Sequence, residues 1–172
     1  IQLLEKLERA GFSGISSLQL ASPKKSHHSI AGQYLLSHYG VEEDIATIIG
    51  GHHGRPVDDL EGLNSQKSYP SNYFQDEKKD SLVYQKWNST QEAFLNWALT
   101  ETGFNSVSKL PKIKQPAQVI LSGLLIMADW IASNEHYFPL LSVDEADVKN
   151  KSQRTENGFK KWKKSNLWEP ET

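Results

Sequence analysis

The apolar stretch from Val119 to Ala132 limits what this chain can fold into more than any other part of its sequence. It is shorter than the roughly 18 residues that span a bilayer, yet long enough for a helix in a protein core. Ser122, Asp129 and Ser133 recur at offsets of seven and four residues, so a helix places them on one narrow polar stripe. We therefore expect a buried helix whose polar stripe faces a partner.

Apolar residues recur at helical spacing along the rest of the chain, which shows neither strand alternation nor internal repeats. We predict that Ser26 caps a helix that ends at Gly40. The next helix is expected to bury Ile45, Ile48 and Ile49. Further helices are predicted over residues 2–10, over residues 81–102 and around Trp162. The sequence thus predicts an all-α fold.

Polar and charged segments are expected to connect or follow these helices. Residues 56–80 are rich in Asn, Ser, Gly, Pro and charges, which predicts a long loop or an irregular insertion. A short helix is expected to begin at Ser142, and the segment Trp168-Glu169-Pro170 is typical of a linker. We assign residues 1–150 to one domain, and residues 151–172 to a C-terminal basic helix and the start of a linker.

The composition narrows the possible chemistry. The chain has no cysteine, so a metal ion would have to be bound by histidine and carboxylate side chains. Its net charge of −2 means that nucleic-acid binding would rest on a local patch. Lacking a membrane-spanning run and a signal-like start, it is expected to be soluble, cytoplasmic and free of membrane contact. Because it starts at Ile1 within a helical pattern and its only methionine is Met127, we expect a piece of a longer polypeptide.

Histidines and one carboxylate form a candidate metal site. In Gly50-Gly51-His52-His53-Gly54, at a helix C-terminus, the glycines would let backbone and ion come close. His28 lies in the first turn of a helix, and Asp129 lies in an apolar helix, where an unpaired carboxylate is costly. The alternatives are a histidine that caps carbonyls, solvated histidines, and an Asp129 that caps a helix or bonds a Trp or Ser side chain. His38 and His136 are interpreted as structural or exposed.

Other catalytic motifs are missing from the sequence. It contains no Gly-x-x-x-x-Gly-Lys phosphate loop, no Gly-x-Ser-x-Gly elbow and no His-Glu-x-x-His zinc helix. Catalysis by a serine or cysteine nucleophile therefore has no support. Lys24, Lys25 and Arg55 lie next to the candidate ligands in sequence and are candidates for contacts with a nucleic-acid backbone.

Three motifs together resemble one known family. They are His27-His28-Ser29-Ile30-Ala31-Gly32, Ile49-Gly50-Gly51-His52-His53-Gly54, and the segment from Leu121 to Asn134, which Phe138-Pro139 follows. In order and separation they resemble the HD-type nuclease domain of the CRISPR-associated nuclease-helicase of type I systems, the third Cas protein. The resemblance extends from about Ser26 to Pro139.

The resemblance implies an HD-domain helical bundle that cuts single-stranded DNA with one or two divalent transition-metal ions, namely manganese, nickel, cobalt or iron. By motif, His28, His52, His53 and Asp129 resemble the metal ligands, with His52, His53 and Asp129 in the catalytic role. His28 fits better than His27, because the family places its ligand just before the small residues of that motif. Ser133, one turn beyond Asp129, would support the ligands without contacting the ion.

The resemblance also implies partners. They are single-stranded invading DNA, a helicase region in the same chain or in a separate subunit, and the CRISPR RNA-guided surveillance complex. The sequence departs from the family pattern in one respect, because no histidine is followed by aspartate. The family's His-Asp dyad and a further ligand histidine are expected to lie before Ile1, so this chain would hold a partial site and could be inactive. In that arrangement three histidines surround one ion and Asp129 lies beside the other.

Two other functions stay open at this stage. An HD-type phosphohydrolase that acts on nucleotides or cyclic nucleotides would need the same ligands. A non-catalytic helical docking module would use these residues only to organise its core.

Overall fold

The computed structural model describes residues 9, 11, 20–55, 57, 60–141 and 151–165. In these residues the secondary structure is helical, and no strand is present. The all-α prediction is thereby confirmed, and the arrangement is consistent with a helical bundle. The helices are α1 (His28–His38), α2 (Glu43–Gly50), α3 (Leu60–Ser65), α4 (Pro70–Phe74), α5 (Leu82–Glu101), α6 (Gln115–Ala132) and α7 (Lys151–Ser165).

An aromatic core joins α1, α4 and α5. Phe74 is 1% exposed, and its ring stacks on that of Tyr84 with the centroids 4.2 Å apart. Tyr73 is buried beside them, and the partly buried side chains of α1 that pack against this cluster are Ala31, Tyr34 and Leu35. Burying these rings removes a large apolar area from water, so they fix the positions of the three helices.

The prediction of a long loop over residues 56–80 is wrong. This region contains α3, a 3-10 turn at Gln66–Ser68 and α4, and it supplies the two largest fully buried side chains of the described residues, Phe74 and Gln66. Pro70 begins α4, where a missing backbone N–H costs nothing. Helices of five and six residues are too short to show a periodic pattern, so the polar composition hid them.

The segment before α1 is held by this same region. The side chain of Gln66 is fully buried, and its Nε2 donates to the carbonyl oxygens of Lys25 and Gly62 at 3.1 and 2.7 Å. Its Oε1 accepts from the hydroxyls of Ser26 and Tyr73 at 2.9 and 2.6 Å. The prediction that Ser26 caps α1 is therefore wrong, because His27 occupies the cap position and the Ser26 hydroxyl bonds Gln66 instead.

Helices α1 and α2 cross closely near the candidate metal ligands. Gln33 is 3% exposed and donates to the hydroxyl of Thr47 at 3.2 Å. A Cβ atom at Gly50 would lie 2.4 Å from the Gln33 Oε1, so only glycine fits at this point. The prediction that α2 buries Ile48 and Ile49 is confirmed for Ile48, which is buried, but is wrong for Ile49, which is 39% exposed.

Helix α6 packs against α2, and Asp44 fixes its start. The carboxylate of Asp44 accepts from the backbone N–H of Ile45 at 2.8 Å and from that of Ile113, just before α6. The prediction that α6 is buried is wrong for the part of the chain described here, because none of its residues is buried. Its 18 residues have a mean hydropathy of 1.2, so it is long and apolar enough to cross a membrane by length and composition only, a criterion that core helices of soluble proteins also meet. Its exposed apolar side chains include Val119, Ile120, Leu124 and Trp130.

Helix α7 is the predicted basic helix. Its Gly158 is buried, and a Cβ atom there would lie 2.4 Å from the ring of Phe138. Arg154 donates to the carbonyl oxygen of Pro139 at 2.8 Å. The predicted short helix at Ser142, the linker at 168–170 and most of the helix over 2–10 lie outside the described residues.

Candidate metal centre

The histidine pair lies in the turn that follows α2. Gly54 has a φ of +98°, a conformation that L side chains rarely adopt, and it lets the chain reverse directly after His53. The Nδ1–H of His52 donates to the carbonyl oxygen of Ile49 at 2.7 Å. This bond uses one ring nitrogen and leaves the Nε2 lone pair of His52 facing the start of α1.

His28 is brought to this pair by the crossing of α1 and α2. Its Nε2 lies 2.5 Å from the Nε2 of His53 and 3.3 Å from the Nε2 of His52. One ligating nitrogen from each of the three side chains lies within 4.8 Å of the others. The three rings thus present their nitrogens to one point, although they come from two segments separated by more than 20 residues.

The donor set fits a divalent transition-metal ion. Imidazole nitrogens bind such ions at about 2.0–2.1 Å, which separates two nitrogens on one ion by about 3 Å. The nitrogens of His28 and His52 already have this spacing, at 3.3 Å, and those of His28 and His53 need to separate slightly from 2.5 Å. Imidazole is a ligand that suits zinc, copper, iron and nickel, whereas magnesium and calcium prefer oxygen.

The electrostatics of the cluster keep His28 neutral. Burial lowers its pKa, and the neighbouring His27, His53 and His52 lower it further, while Asp129 raises it. A neutral imidazole is the form that binds a metal ion. The ring of His27 lies beside that of His28, tilted by 35° with the centroids 4.3 Å apart, but its Nδ1 bonds the hydroxyl of Ser29 at 2.9 Å and it lies outside the group of three.

Asp129 reaches the edge of the cluster. Its Oδ2 lies 3.8 Å from the Nδ1 of His53, on the opposite side of that ring from Nε2. The expectation of a buried Asp129 is wrong, because its side chain is 34% exposed. The predicted support by Ser133 takes another form, since its hydroxyl donates to the backbone carbonyl of Asp129 at 2.7 Å.

The basic residues expected to contact nucleic acid lie on the segments that flank the cluster. Lys24 and Lys25 form the 3-10 turn before α1, and Arg55 follows the histidine turn. All three are exposed. His38, at the far end of α1, lies outside the cluster, as does the exposed His136.

The family is settled by a match over most of the chain. The sequence model described as "Cas3, HD domain" matches residues 1–138. The chain belongs to the Cas3 HD-domain family. The fold and the convergence of its histidine motifs agree with this membership in the Cas3 HD domains.

One curated relative is similar over the whole chain. It is the CRISPR-associated nuclease/helicase Cas3 of Streptococcus thermophilus, which is 92% identical over 172 residues. These residues are 100% of this chain but 19% of the relative, so the chain spans about a fifth of that protein's length. No solved structure matches this Cas3 HD domain.

Sequence reasoning missed two features of the centre. The first is the bond from His52 to the Ile49 carbonyl, which no side-chain pattern reveals. The second is the reason for Gly50, which leaves room for Gln33 of α1 and not for an ion. The sequence offered no signal for this contact, because Gln33 lies beside the apolar stripe of α1 and not within it.

Proposed function

We propose that this chain is the metal-dependent nuclease domain of a type I CRISPR interference effector, and that it hydrolyses phosphodiester bonds in single-stranded DNA. One observation carries the proposal. In a chain of the Cas3 HD family, the Nε2 nitrogens of His28, His52 and His53 converge, with the Asp129 carboxylate beside them. The name of the Streptococcus thermophilus relative, a nuclease/helicase, supports the nuclease assignment.

The proposed ligands are His28, His52 and His53 around one ion and Asp129 beside the other, and the ions are manganese, nickel, cobalt or iron. Bound there, a divalent ion supplies positive charge that neutralises the scissile phosphate and lowers the pKa of a water molecule. The bond from His52 to Ile49 sets the tautomer of one ligand before binding. Asp129 faces the Nδ1 side of His53, where a carboxylate orients the imidazole and raises its basicity.

The flanking basic residues hold the DNA backbone in this proposal. Lys24 and Lys25 precede α1 and Arg55 follows the histidine turn, so their charges approach the cluster from both segments that build it. Such contacts position a strand without reading its sequence. The substrate is threaded by a helicase region, which the relative's name supports in the same chain, under the direction of an RNA-guided surveillance complex.

The test is cleavage by the complete encoded polypeptide with each of the four metal ions in turn. End-labelled single-stranded DNA, duplex DNA, nucleotides and cyclic nucleotides are compared as substrates. We expect single-stranded DNA to be degraded and EDTA to stop the reaction. Hydrolysis of nucleotides without cleavage of single-stranded DNA would identify a phosphohydrolase and overturn the proposal.

A further inference from the structure

A second polar site lies at the end of α1 opposite to the histidine cluster. Two adjoining cavities of about 440 and 460 Å³ share His38, Lys79 and Tyr84 as lining residues. One continues along α5 past Asn88, and the other continues toward Lys67. Together they form a groove that we call the α1–α5 groove.

The groove combines ring faces with cations. The accessible rings in its lining are those of Tyr34 and His38, with centroids 5.9 Å apart, whereas Phe74 is buried beneath it in the core. Lys67 and Lys79 are both exposed, whereas the one carboxylate in the lining belongs to Glu77, so the balance of charge is positive. Aromatic rings beside lysines are the usual means of binding single strands, because every base has a π face and every nucleotide has a phosphate.

The other side chains of the groove fit an uncharged base. Burial and the nearby Lys79 lower the pKa of His38, so its imidazole is neutral and acts as a ring surface and hydrogen-bonding group. Gln85, Asn88 and Ser89 add polar groups along α5. None of these residues belongs to the histidine cluster or its immediate neighbours in sequence.

The groove and the candidate metal centre are joined by α1 and by the segment before it. Gln66 donates to the carbonyl oxygen of Lys25, which places the turn that carries Lys67 directly against the segment before His27. Lys67 and Lys79 then line the same cavity. Along α1, ten residues separate His28 from His38, which is about 15 Å at the helical rise per residue.

From this placement we infer that the α1–α5 groove binds a stretch of the single-stranded nucleic acid adjacent to the scissile phosphate, with its phosphates on Lys67 and Lys79 and a base against Tyr34 and His38. The inference rests on the proposed function for the identity of the ligand. The groove would be a second contact surface for the nucleic acid, separate from the three histidines that are the proposed metal ligands.

Photochemical cross-linking tests the groove directly. The complete encoded polypeptide is irradiated in EDTA with an oligothymidylate that carries 5-iododeoxyuridine, and the linked peptides are identified by mass spectrometry. We expect links to Tyr34 or His38. Links confined to other regions, or no link at all, would overturn the inference.

Matched lysine variants give the second measurement. Lys67→Gln with Lys79→Gln should reduce the slope of log affinity against log salt by about 1.4, the value for two phosphate contacts on a single strand. Lys86→Gln with Lys109→Gln is the control, because both lysines are exposed but neither lines the groove. An equal change in both proteins contradicts the inference.

These outcomes separate the groove from the nuclease proposal. Metal-dependent cleavage with no link in the groove leaves the nuclease standing and removes the groove. Links in the groove without cleavage under any of the four metal ions leave the groove and remove the nuclease.

Discussion

The Nδ1–H of His52 donates to the carbonyl oxygen of Ile49 at 2.7 Å, so the backbone of α2 orients a ring that lies in the turn after it. The ring is thereby positioned by the same helix whose crossing with α1 brings His28 to the cluster. Ligand orientation and helix packing are therefore coupled in this domain.

The affinity for Mn²⁺ should distinguish the two histidines at the start of α1. We expect His28→Ala and His52→Ala to lower the affinity more than the ~10–100-fold that loss of a supporting hydrogen bond costs, since each removes a ligand. The Mn²⁺ affinity of His27→Ala should stay close to that of the unsubstituted chain, because the Nδ1 of His27 bonds Ser29. Isothermal titration calorimetry measures these values. Equal losses in His27→Ala and His28→Ala would refute the assignment.

Replacing Gly50 should destabilise the crossing of α1 and α2. In Gly50→Ala the new Cβ meets Gln33, which is 3% exposed and bonded to Thr47, so it has little room to move. We expect a loss of about 1–3 kcal/mol in the free energy of unfolding. Urea denaturation provides the measurement.

Gly123→Ala is the matched control for that experiment. Gly123 lies inside α6, and a Cβ there has no neighbour within 4 Å among the described residues. Alanine should therefore stabilise the chain by about 0.5–1 kcal/mol. The same sign of change in both variants would show that the packing argument is wrong.

Gln66→Met should weaken the fold more than its volume suggests. The thioether side chain fills the space, but it leaves the carbonyl of Lys25 and the hydroxyls of Ser26 and Tyr73 without their partner. We expect a loss of at least about 2 kcal/mol in unfolding free energy. The control is Gln153→Met, at an exposed position on α7. Its free energy of unfolding should stay within about 0.5 kcal/mol of that of the unsubstituted chain. An unchanged free energy of unfolding in Gln66→Met would contradict the stabilising role given to the hydrogen bonds of Gln66.

The stability of the fold should fall as the solution is acidified. Burial and Lys79 lower the pKa of His38 below its ordinary 6.5, so the unfolded chain takes up this proton first as the pH falls. The resulting stabilisation is present above about pH 6.5 and is lost below it. The drop in melting temperature between about pH 7.5 and 5.5 should therefore be smaller in His38→Gln than in the exposed control His136→Gln. An equal drop in melting temperature in the two variants would show that His38 does not contribute to the pH dependence of stability.

Helix existence could be predicted from the sequence where apolar periodicity is long. The spacing over residues 81–102 predicts α5, and the structure adds a cap, in which the Ser81 hydroxyl accepts from the backbone N–H of Tyr84 at 3.2 Å. Burial could not be predicted from the same pattern. Leu82 and Phe94 are 66% and 68% exposed, because periodicity shows which side chains share a face but not what covers that face.

The residues of the candidate centre could be predicted, but their geometry could not. His28, His52, His53 and Asp129 follow from the motifs, and the structure brings them together. The spacing of the histidines depends on the crossing of α1 and α2, where Gln33 packs against Gly50. The position of the segment before α1 depends on the hydrogen bonds of Gln66. These are tertiary contacts between distant residues, which local sequence patterns do not encode.

The rate of Mn²⁺-dependent cleavage of single-stranded DNA by the complete encoded polypeptide tests the central claim most directly. We predict that His53→Ala and Asp129→Ala abolish it, because one removes a proposed ligand and the other the carboxylate facing that ligand. His136→Ala, which changes an exposed histidine outside the cluster, should retain the full rate. Full activity in His53→Ala or Asp129→Ala would contradict the account.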